Sequence, residues 1–285
     1  MVTRFAPSPT GRLHLGHAYA AIRAHDHARA AGGRFLLRIE DIDGTRSREA
    51  FVVGIEEDLR WLGLDWDGPI VRQSSRLAVY AGVLETLREQ GLLYPCFCTR
   101  TDVAASASAP HHGPDGLVYP GTCRHLSGTE AADRIAAGVP HAWRLATDAA
   151  VARVGTLMWH DLAAGKQIAD PQAFGDIVLA RKDAPASYHL AVTVDDAAQG
   201  VTDVVRGIDL IRATDIHRLL QALLGLPTPV YLHHPLLIGP DGERLAKRHG
   251  APALADRRAA GDDGQALAAA LRADASPIGF VPHNA

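Results

Sequence analysis

The 285-residue sequence has few cysteines and no long apolar run. Its three cysteines all lie between residues 96 and 123, too few and too clustered for a disulfide framework, so they indicate a metal site or chance. No run of about 18 or more apolar residues occurs, which argues against a membrane-spanning helix. The N-terminal segment also lacks the apolar core of a signal peptide, so we expect a cytoplasmic protein.

Neither sign of charge is in large excess. The formal net charge is -3, which excludes a globally basic nucleic-acid binder, so any contact with RNA must come from local patches. Most basic residues are arginines, and lysine occurs only at Lys166, Lys182 and Lys247. Apolar residues make up 47% and charged residues 21% of the chain, which is typical of a soluble globular protein with a sizeable core.

Apolar patterning alternates between strands and helices in two stretches of the chain. Strands are predicted at 2–5, 34–39, 176–181, 190–194 and 236–238, and helices at 17–31, 46–62, 76–90, 211–224 and 265–273. This alternation favours an α/β protein with a doubly wound parallel sheet of the Rossmann type. From residue 96 to about 138 the chain is instead rich in Ala, Ser, Gly, Pro and His, and 101–117 is predicted to be an exposed loop.

These features predict four parts of the chain. They are a first half of a nucleotide-binding catalytic domain (1–95), an insertion with a metal-binding module (96–175), the second half of the catalytic domain (176–240), and a basic loop with a short helical C-terminal extension (241–285).

The first motif, RFAPSPTGRLHLGH, runs from Arg4 to His17, where a strand passes through a Pro- and Gly-rich turn into a helix. A helix N-terminus presents free N–H groups and a positive dipole end, which suits a triphosphate. His14 and His17 can donate to phosphate oxygens as negative charge develops, and Gly16 leaves room for an adenine ring on the backbone. The alternative is a surface turn with incidental histidines, which the Pro-Ser-Pro-Thr-Gly lead-in disfavours.

The second motif is a basic loop, Arg244-Leu245-Ala246-Lys247-Arg248, which comes after a predicted turn at 239–242. Such a loop can close on phosphates and neutralise a leaving pyrophosphate through Lys247. Alone it is a generic basic loop. Together with the first motif it predicts an enzyme that joins a carboxylic acid to AMP.

The two motifs resemble the HIGH and KMSKS signatures of class I aminoacyl-tRNA synthetases. Four further segments, LLRIEDID (36–43), ASYHLAVTVDD (186–196), DVVRGIDL (203–210) and HHPLLIG (233–239), resemble the glutamyl/glutaminyl subgroup. The resemblance covers about residues 1 to 250. It implies a HIGH-superfamily catalytic domain that uses ATP with Mg²⁺, with His14, Gly16, His17 and Lys247 at the ATP. Ala246 departs from the signature serine and removes one hydroxyl donor, yet we expect activity to survive.

The predicted amino-acid pocket consists of residues at strand ends or in the loops after them, where such sheets bind ligands. Arg4 and Arg206 can each grip a carboxylate with paired hydrogen bonds, Glu40 can pair with an α-ammonium, and Tyr188 can add a hydroxyl donor. Spacing alone would favour surface salt bridges. The resemblance implies instead an L-glutamate site formed by Arg4, Phe5, Ala6, Pro7, Ser8, Glu40, Tyr188 and Arg206. Which arginine takes which carboxylate stays open.

The cysteines Cys96, Cys98 and Cys123 form a soft ligand set suited to zinc. The CxC spacing is less specific than CxxC, and a fourth ligand is required. We expect one structural Zn²⁺, which would pin an insertion too small to hold a core unaided. Three free buried thiols are the alternative.

Two kinds of residue compete for the place of fourth ligand. Imidazole is the commoner ligand, so chemistry alone favours His111, His112 or His125. The resemblance implies Tyr119, because the short relatives of glutamyl-tRNA synthetase that lack an anticodon-binding domain carry a CxC…YxxxC set with tyrosine as a ligand. We therefore expect Tyr119.

The acceptor of the activated acid is inferred from the short segment after the basic loop. Residues 249–285 are expected to form one helix and a tail, too little for an anticodon-binding domain. This resembles the same short relatives, and it implies glutamate activation without tRNA, then transfer to the queuosine base in the anticodon loop of tRNA(Asp). We expect a monomer that binds L-glutamate, ATP and tRNA(Asp). Alternatives are a truncated synthetase that charges the 3′ end of tRNA(Glu), or a non-catalytic tRNA-binding module.

Overall fold

The computed structural model describes residues 1–99, 101–103, 112–114, 116–182, 184–238, 252–273 and 281–283. Its helices are α1 (Leu15–Ala30), α2 (Glu49–Trp61), α3 (Leu77–Glu89), α4 (Gly128–Ala136), α5 (Thr147–Val154), α6 (Tyr188–Ala198), α7 (Ala213–Leu224), α8 (Leu254–Ala259) and α9 (Gly264–Arg272). Its strands are β1 (Val2–Phe5), β2 (Arg34–Ile39), β3 (Val71–Arg72), β4 (Leu93–Cys96), β5 (His112–Gly113), β6 (Gly116–Leu117), β7 (Ala142–Leu145), β8 (Met158–Asp161), β9 (Gly165–Ile168), β10 (Val178–Ala180), β11 (Asp203–Gly207), β12 (Val230–His234), β13 (Leu236–Ile238) and β14 (Val281–His283).

Two parallel sheets adjoin at the centre of the fold. One has the order β1-β2-β3, and the other has the order β11-β12-β8, with β9 added antiparallel to β8. The N–H of Thr202 donates to the carbonyl oxygen of Val2 at 3.0 Å, so β11 begins beside β1. The chain order of the strands therefore reverses between β1 and β11. In open α/β sheets the crevice at the carboxyl ends of such strands is where ligands bind, and the expected α/β fold with parallel strands is confirmed.

The helix α1 is held against this junction by both its ends and its apolar face. His14 caps its N-terminus, and the chain leaves the helix through Gly32, whose φ of +60° favours glycine. Leu15, Ala18 and Ile22 are at most 1% exposed and pack into the core that also contains the residues of β2. The first motif is therefore fixed between a buried strand and a buried helix.

The C-terminal helices α8 and α9 belong to the same core. Leu267 and Leu271 of α9 are 4% and 2% exposed, and burial of each stabilises the fold by about 1.5–3 kcal/mol. Leu254 of α8 is wholly buried, and its N–H donates to the carbonyl oxygen of Leu13 at 2.9 Å. This bond fastens α8 directly to the residue before His14.

A separate antiparallel sheet has the order β10-β7-β4. It packs with α3, α6 and α7 around a second core that includes Tyr80, Leu87, Leu145 and Leu190, each 0% exposed. Cys96 ends β4, so this sheet leads directly to the cysteines.

One predicted strand is wrong. Residues 190–194 lie in the helix α6, which Ser187 caps by accepting a hydrogen bond from the N–H of Leu190. All five residues are buried, because α6 packs in the interior. A helix that is buried on most sides shows a continuous apolar run instead of the 3.6-residue period, so its sequence is easily mistaken for a strand.

The segment between the cysteines is described only in part. Of the predicted loop at 101–117, the structure shows the short hairpin of β5 and β6, and the remainder lies largely outside the described residues. Within 96–175, the strand β8 pairs in parallel with β12 at Tyr231 and Asp161. The four-part division of the chain stays a prediction. In the described part of the chain, no helix combines the length and apolar character needed to cross a bilayer.

Candidate active site

A cleft of about 780 Å³ opens at the carboxyl ends of β1 and β11. This volume lies within the range of small-molecule sites, about 300–1,000 Å³. The predicted residues that line it are Arg4, Phe5, Ala6, Pro7, Ser8, His14, Gly16, His17, Glu40, Tyr188 and Arg206. Lys247, with the rest of the second motif, lies outside the described residues. The fold thus brings together every described residue predicted for the acid and for ATP.

The two histidines of the first motif cap the helix α1 reciprocally. The N–H of Gly16 donates to Nδ1 of His14 at 3.1 Å, and the N–H of His14 donates to Nδ1 of His17 at 3.2 Å. Because a backbone N–H is always the donor, both Nδ1 atoms are acceptors, and each neutral ring carries its proton on Nε2. The first turn of α1 therefore carries two Nε2–H groups beside the cleft, while the N–H groups of Gly16, His17 and Ala18 already donate to His14.

The structure gives a second reason for a glycine at position 16, in addition to the room for an adenine ring that the sequence predicts. A Cβ at this position would lie 3.0 Å from Cε1 and 3.1 Å from Nδ1 of the His14 ring. The His14 ring, which caps the helix, would have to shift by a few tenths of an ångström to admit a methyl group. Gly16 therefore keeps the cap and the open floor of the cleft at the same time.

Arg4 lies in an ionic network beneath the cleft. It donates to both carboxylate oxygens of Asp196, at 3.0 and 3.3 Å. Arg38, wholly buried, donates to the same carboxylate at 2.7 Å and to Glu40 at 3.4 Å. Although burial alone would raise it, Arg4 and Arg38 hold the pKa of Asp196 below its usual value. Burial raises the pKa of Glu40, an effect that these arginines only partly offset.

Arg206 has a different set of partners. It donates to Nε2 of His233 at 3.1 Å, to the Tyr188 hydroxyl at 3.3 Å, to Nδ1 of His217 at 3.3 Å and to the Thr214 hydroxyl at 2.6 Å. Each of these acceptors is uncharged. Burial, followed by the charge of Arg206, lowers the pKa of His233 to about 4 and that of His217 well below its usual value.

The sequence reasoning missed several of these partners. His233 has no partner at ligand spacing in the sequence that would indicate a role, yet it contacts Arg206 directly. Asp196 lies inside a segment that carried the resemblance, and its charge was a usable signal. His217 has no comparable signal, because only the packing of α7 beside β11 and β12 brings it to Arg206.

The three cysteines converge as predicted. Their Sγ atoms lie within 4.8 Å of one another, and those of Cys98 and Cys123 are 3.4 Å apart. The Tyr119 hydroxyl lies 3.6 Å from Sγ of Cys98 and accepts a hydrogen bond from the N–H of Cys123 at 2.7 Å. Three thiols at this separation could hold a metal ion, and the phenol oxygen of Tyr119 lies beside them.

The candidates for fourth ligand differ in their placement. Tyr119 is buried against the thiols, whereas His125 is exposed and does not join the cluster. Neither His111 nor the side chain of His112 is among the described residues. The guanidinium of Arg144 lies 3.8 Å from the centre of the Tyr119 ring, so a positive charge covers its face.

The titration of this cluster also bears on metal binding. Burial raises the pKa of the Cys98 thiol to about 11 and also raises the pKa of Tyr119, whereas hydrogen bonds hold the pKa of Cys123 below its usual value despite burial. Metal ligands must be deprotonated, so a cation is needed to stabilise Cys98 and Tyr119 as anions at neutral pH. A divalent metal ion among the three thiols would supply that charge directly.

Comparison with known proteins agrees with this geometry. The family of tRNA synthetases class I (E and Q), catalytic domain, matches residues 1–276. A glutamyl-Q tRNA(Asp) synthetase of Rhodobacter capsulatus is 53% identical over 273 residues, which cover 92% of this chain and 96% of that protein. Its counterpart from Symbiobacterium thermophilum is 51% identical over 268 residues, covering 90% of this chain and 81% of that protein.

A solved structure gives the same result in three dimensions. The crystal structure of a glutamate tRNA ligase from Elizabethkingia meningosepticum in complex with its amino acid superposes with a TM-score of 0.74 at 28% identity. The match covers 88% of this chain and 52% of the ligase, so this chain spans about half the length of that enzyme. Sequence family, curated relatives and fold agree, and the chain belongs to the catalytic-domain family of class I tRNA synthetases for glutamate and glutamine and is a ligase of that class.

Proposed function

We propose that this chain activates L-glutamate with ATP and then transfers the glutamyl group to the queuosine base of tRNA(Asp). In the first step an oxygen of the α-carboxylate bonds to the α-phosphorus of ATP, and pyrophosphate leaves. In the second step a hydroxyl oxygen of the cyclopentenediol ring of queuosine bonds to the acyl carbon, its proton is released, and AMP leaves.

The observation that carries this proposal is that one cleft holds both a nucleotide-type helix end and a pocket with two arginines and a carboxylate. Arg206, which has no ion pair among the described residues, and Arg4, which shares its charge with Asp196, suit the two carboxylates of glutamate, and Glu40 suits its ammonium group. Phe5, Ala6, Pro7 and Ser8 complete the wall between β1 and α1. Holding the acid and ATP side by side in a reactive alignment accounts for much of the rate acceleration over the reaction in solution.

The residues at the triphosphate act on charge that develops in the transition state. The Nε2–H groups inferred for His14 and His17 suit donation to phosphate oxygens, and Gly16 leaves the backbone open to the adenine. Lys247, from the loop that precedes α8, would neutralise the leaving pyrophosphate. Mg²⁺ bound with ATP would supply further positive charge to the phosphates.

A structural metal completes the proposal. The donor set of Cys96, Cys98, Tyr119 and Cys123 fits one Zn²⁺, which would tie the end of β4 to the turn after Tyr119. No residue of this cluster lines the cleft, so its contribution is to the shape of the insertion and not to the chemistry.

The choice of acceptor is supported by the curated relatives. The glutamyl-Q tRNA(Asp) synthetases of Rhodobacter capsulatus and Symbiobacterium thermophilum match this chain over 96% and 81% of their own lengths. Their names give the acceptor proposed here, tRNA(Asp).

The test has two parts. ATP–pyrophosphate exchange is measured with glutamate, glutamine and aspartate in the absence of tRNA, and we expect exchange with glutamate alone. Transfer of labelled glutamate is then measured to queuosine-containing tRNA(Asp), to tRNA(Asp) without queuosine and to tRNA(Glu). Transfer only to the first is expected. Charging of tRNA(Glu) alone would overturn the acceptor, and an absence of glutamate-dependent exchange would overturn the activation step.

A further inference from the structure

Arg4 and Arg206 face the same cleft but differ in how their charge is balanced. Arg4 forms a two-pronged ion pair with Asp196, and both side chains are at most 10% exposed. Arg206 is 5% exposed, and the described residues give it hydrogen bonds but no ion pair. A buried cation without an anion is costly unless a ligand supplies one. Of these two arginines, Arg206 is therefore the one whose charge no described carboxylate neutralises.

The protonation of the two histidines beside Arg206 follows from the hydrogen bonds. A guanidinium only donates, so Nδ1 of His217 and Nε2 of His233 must both be unprotonated. The remaining nitrogen of each ring then carries the proton. For His217 this N–H points at Nδ1 of His189, 3.2 Å away, and for His233 it points at a carboxylate oxygen of Asp161, 2.7 Å away.

Each imidazole is thus fixed from behind. Asp161 is 1% exposed and also accepts from the N–H groups of Ala163 and Ala164, at 2.8 and 2.9 Å, so it is held by the hairpin of β8 and β9. His217 is held between Arg206 and His189. These two rings reach the guanidinium from β12 and α7, which restricts its rotation from two directions.

We propose that His217 and His233 are positioning residues that hold the guanidinium of Arg206 as uncharged acceptors and so reserve its charge for a substrate carboxylate. A carboxylate at either place would neutralise Arg206 and compete with the substrate, and an imidazolium would repel the guanidinium. Neutral acceptors orient the fork without either effect. This inference rests on the proposed function and adds to it the residues that shape its acid-binding pocket.

The test uses two variants of equal size, His217→Asn and His217→Asp. The side-chain oxygen of asparagine takes the place of Nδ1 and remains a neutral acceptor, whereas aspartate puts a charge there. The parameters measured are the KM for glutamate and the KM for ATP in pyrophosphate exchange. We expect the Asn variant to stay within a few-fold of the native KM for glutamate. We expect the Asp variant to raise this KM by about 10–100-fold, the range of a lost hydrogen bond to a charged group, with the KM for ATP unchanged.

Further variants separate positioning from folding. His217→Leu should raise the KM for glutamate like the Asp variant, while His160→Leu, on the exposed side of β8, should leave it unchanged. Thermal unfolding of each variant checks the fold. Equal KM values for the Asn and Asp variants, or parallel changes in both substrates' KM values, would overturn the inference. If the native chain shows no glutamate-dependent exchange, the proposed function fails instead, and the two failures are distinguishable.

Discussion

The cleft and the cysteine cluster both bury polar groups, but they satisfy them in different ways. In the cleft, the wholly buried Arg38 has protein partners at 2.7 Å in Asp196 and 2.9 Å in Gln199. In the cluster, the thiols and the Tyr119 hydroxyl face one another. The buried charge of Arg38 is therefore satisfied within the protein, whereas Cys98 and Tyr119 of the cluster, whose pKa values burial raises, need a cation to be stable as anions. Substitutions in the cleft should consequently lower activity, whereas substitutions in the cluster should lower local stability.

The largest effect is expected in the cleft, from His17→Ala. Loss of one preorganised donor at the developing phosphate charge should lower the rate of pyrophosphate exchange by roughly 100–1,000-fold. The cap on the His14 N–H is lost as well, which costs about 0.5–2 kcal/mol of stability. Exchange kinetics and thermal unfolding measure the two effects separately.

The control for this variant lies on the same helix. His27→Ala removes a histidine near the C-terminal end of α1, where it contacts Asp203 and does not line the cleft. Its exchange rate should stay within a few-fold of the native rate. Equal losses in both variants would show that α1 tolerates no histidine change, and the role given to His17 would have no support.

The next effect is expected in the cluster, from Cys123→Ala. One of four ligands is lost, so zinc content measured by mass spectrometry should fall from about one per chain to a small fraction of it. Hydrogen exchange of backbone amides should accelerate around residues 96–98 and 119–126 and remain slow in β1, β2 and α1. Accelerated hydrogen exchange in the central sheet as well would contradict the expectation that loss of the metal affects only the region around the cluster.

A paired test decides the fourth ligand. Tyr119→Phe removes only the hydroxyl and should weaken zinc binding by tenfold or more, on the order of the losses seen at metal sites. His125→Ala should change nothing, because this side chain lies outside the cluster. The reverse outcome would assign the ligand to His125.

An intermediate effect is expected from pH. The pKa of His233 is lowered from 6.5 to about 4 by burial and by Arg206, so between these values the unfolded chain binds a proton that the folded chain does not. The stability that this histidine contributes is present above pH 6.5 and is lost as the pH falls toward 4, by at most about 1.4 kcal/mol per pH unit. The pKa of His217 is lowered as well, so it acts in the same direction.

Denaturant unfolding between about pH 7.5 and 4.5, which brackets most of this window, measures the slope. His233→Gln keeps an acceptor for Arg206 without a titrating group, so its slope should be shallower than the native slope. The same slope in both proteins would mean that His233 is not buried as a neutral ring.

The smallest effect is expected from Arg144→Leu beside the cluster. The cation over the Tyr119 ring lies 3.8 Å from its centre, and such contacts contribute about 0.5–2 kcal/mol. Zinc affinity, measured by competition with a chelator, should fall a few-fold, and exchange activity should not change. Arg144→Lys keeps the positive charge and should retain most of the affinity.

Much of the cleft could be predicted from the sequence. Arg4, Glu40 and Arg206 are far apart in the chain, and their spacing alone favours surface salt bridges, so it is the family resemblance that predicts their pocket; the structure puts each at or after the end of a parallel strand, and the carboxyl ends of such strands meet at one edge. A turn rich in proline and glycine before an alanine-rich stretch predicts a helix start, and His14 and His17 lie at the start of α1. Motifs of this kind depend on local order and on the direction of strands, both of which a sequence records.

The remainder depended on packing between distant elements. The run at 190–194 indicated a strand because the interior position of α6 hides its period. The link from Arg206 to His217 and His233 exists only because α7 and β12 pack beside β11, and no local pattern specifies it. Lys247 and its neighbours lie outside the described residues, so their place stays a prediction.

The hydrogen bond from Leu254 to Leu13 has a consequence for synthesis of the protein. A chain emerging from the ribosome contains the whole first motif early, but β11, which flanks β1, is made about 200 residues later. Leu254 of α8, whose N–H donates to Leu13, is made later still. We therefore expect a partly translated chain that ends before β11 to consume no ATP and to sequester no glutamate, because Arg206 and the rest of that wall of the cleft are not yet present.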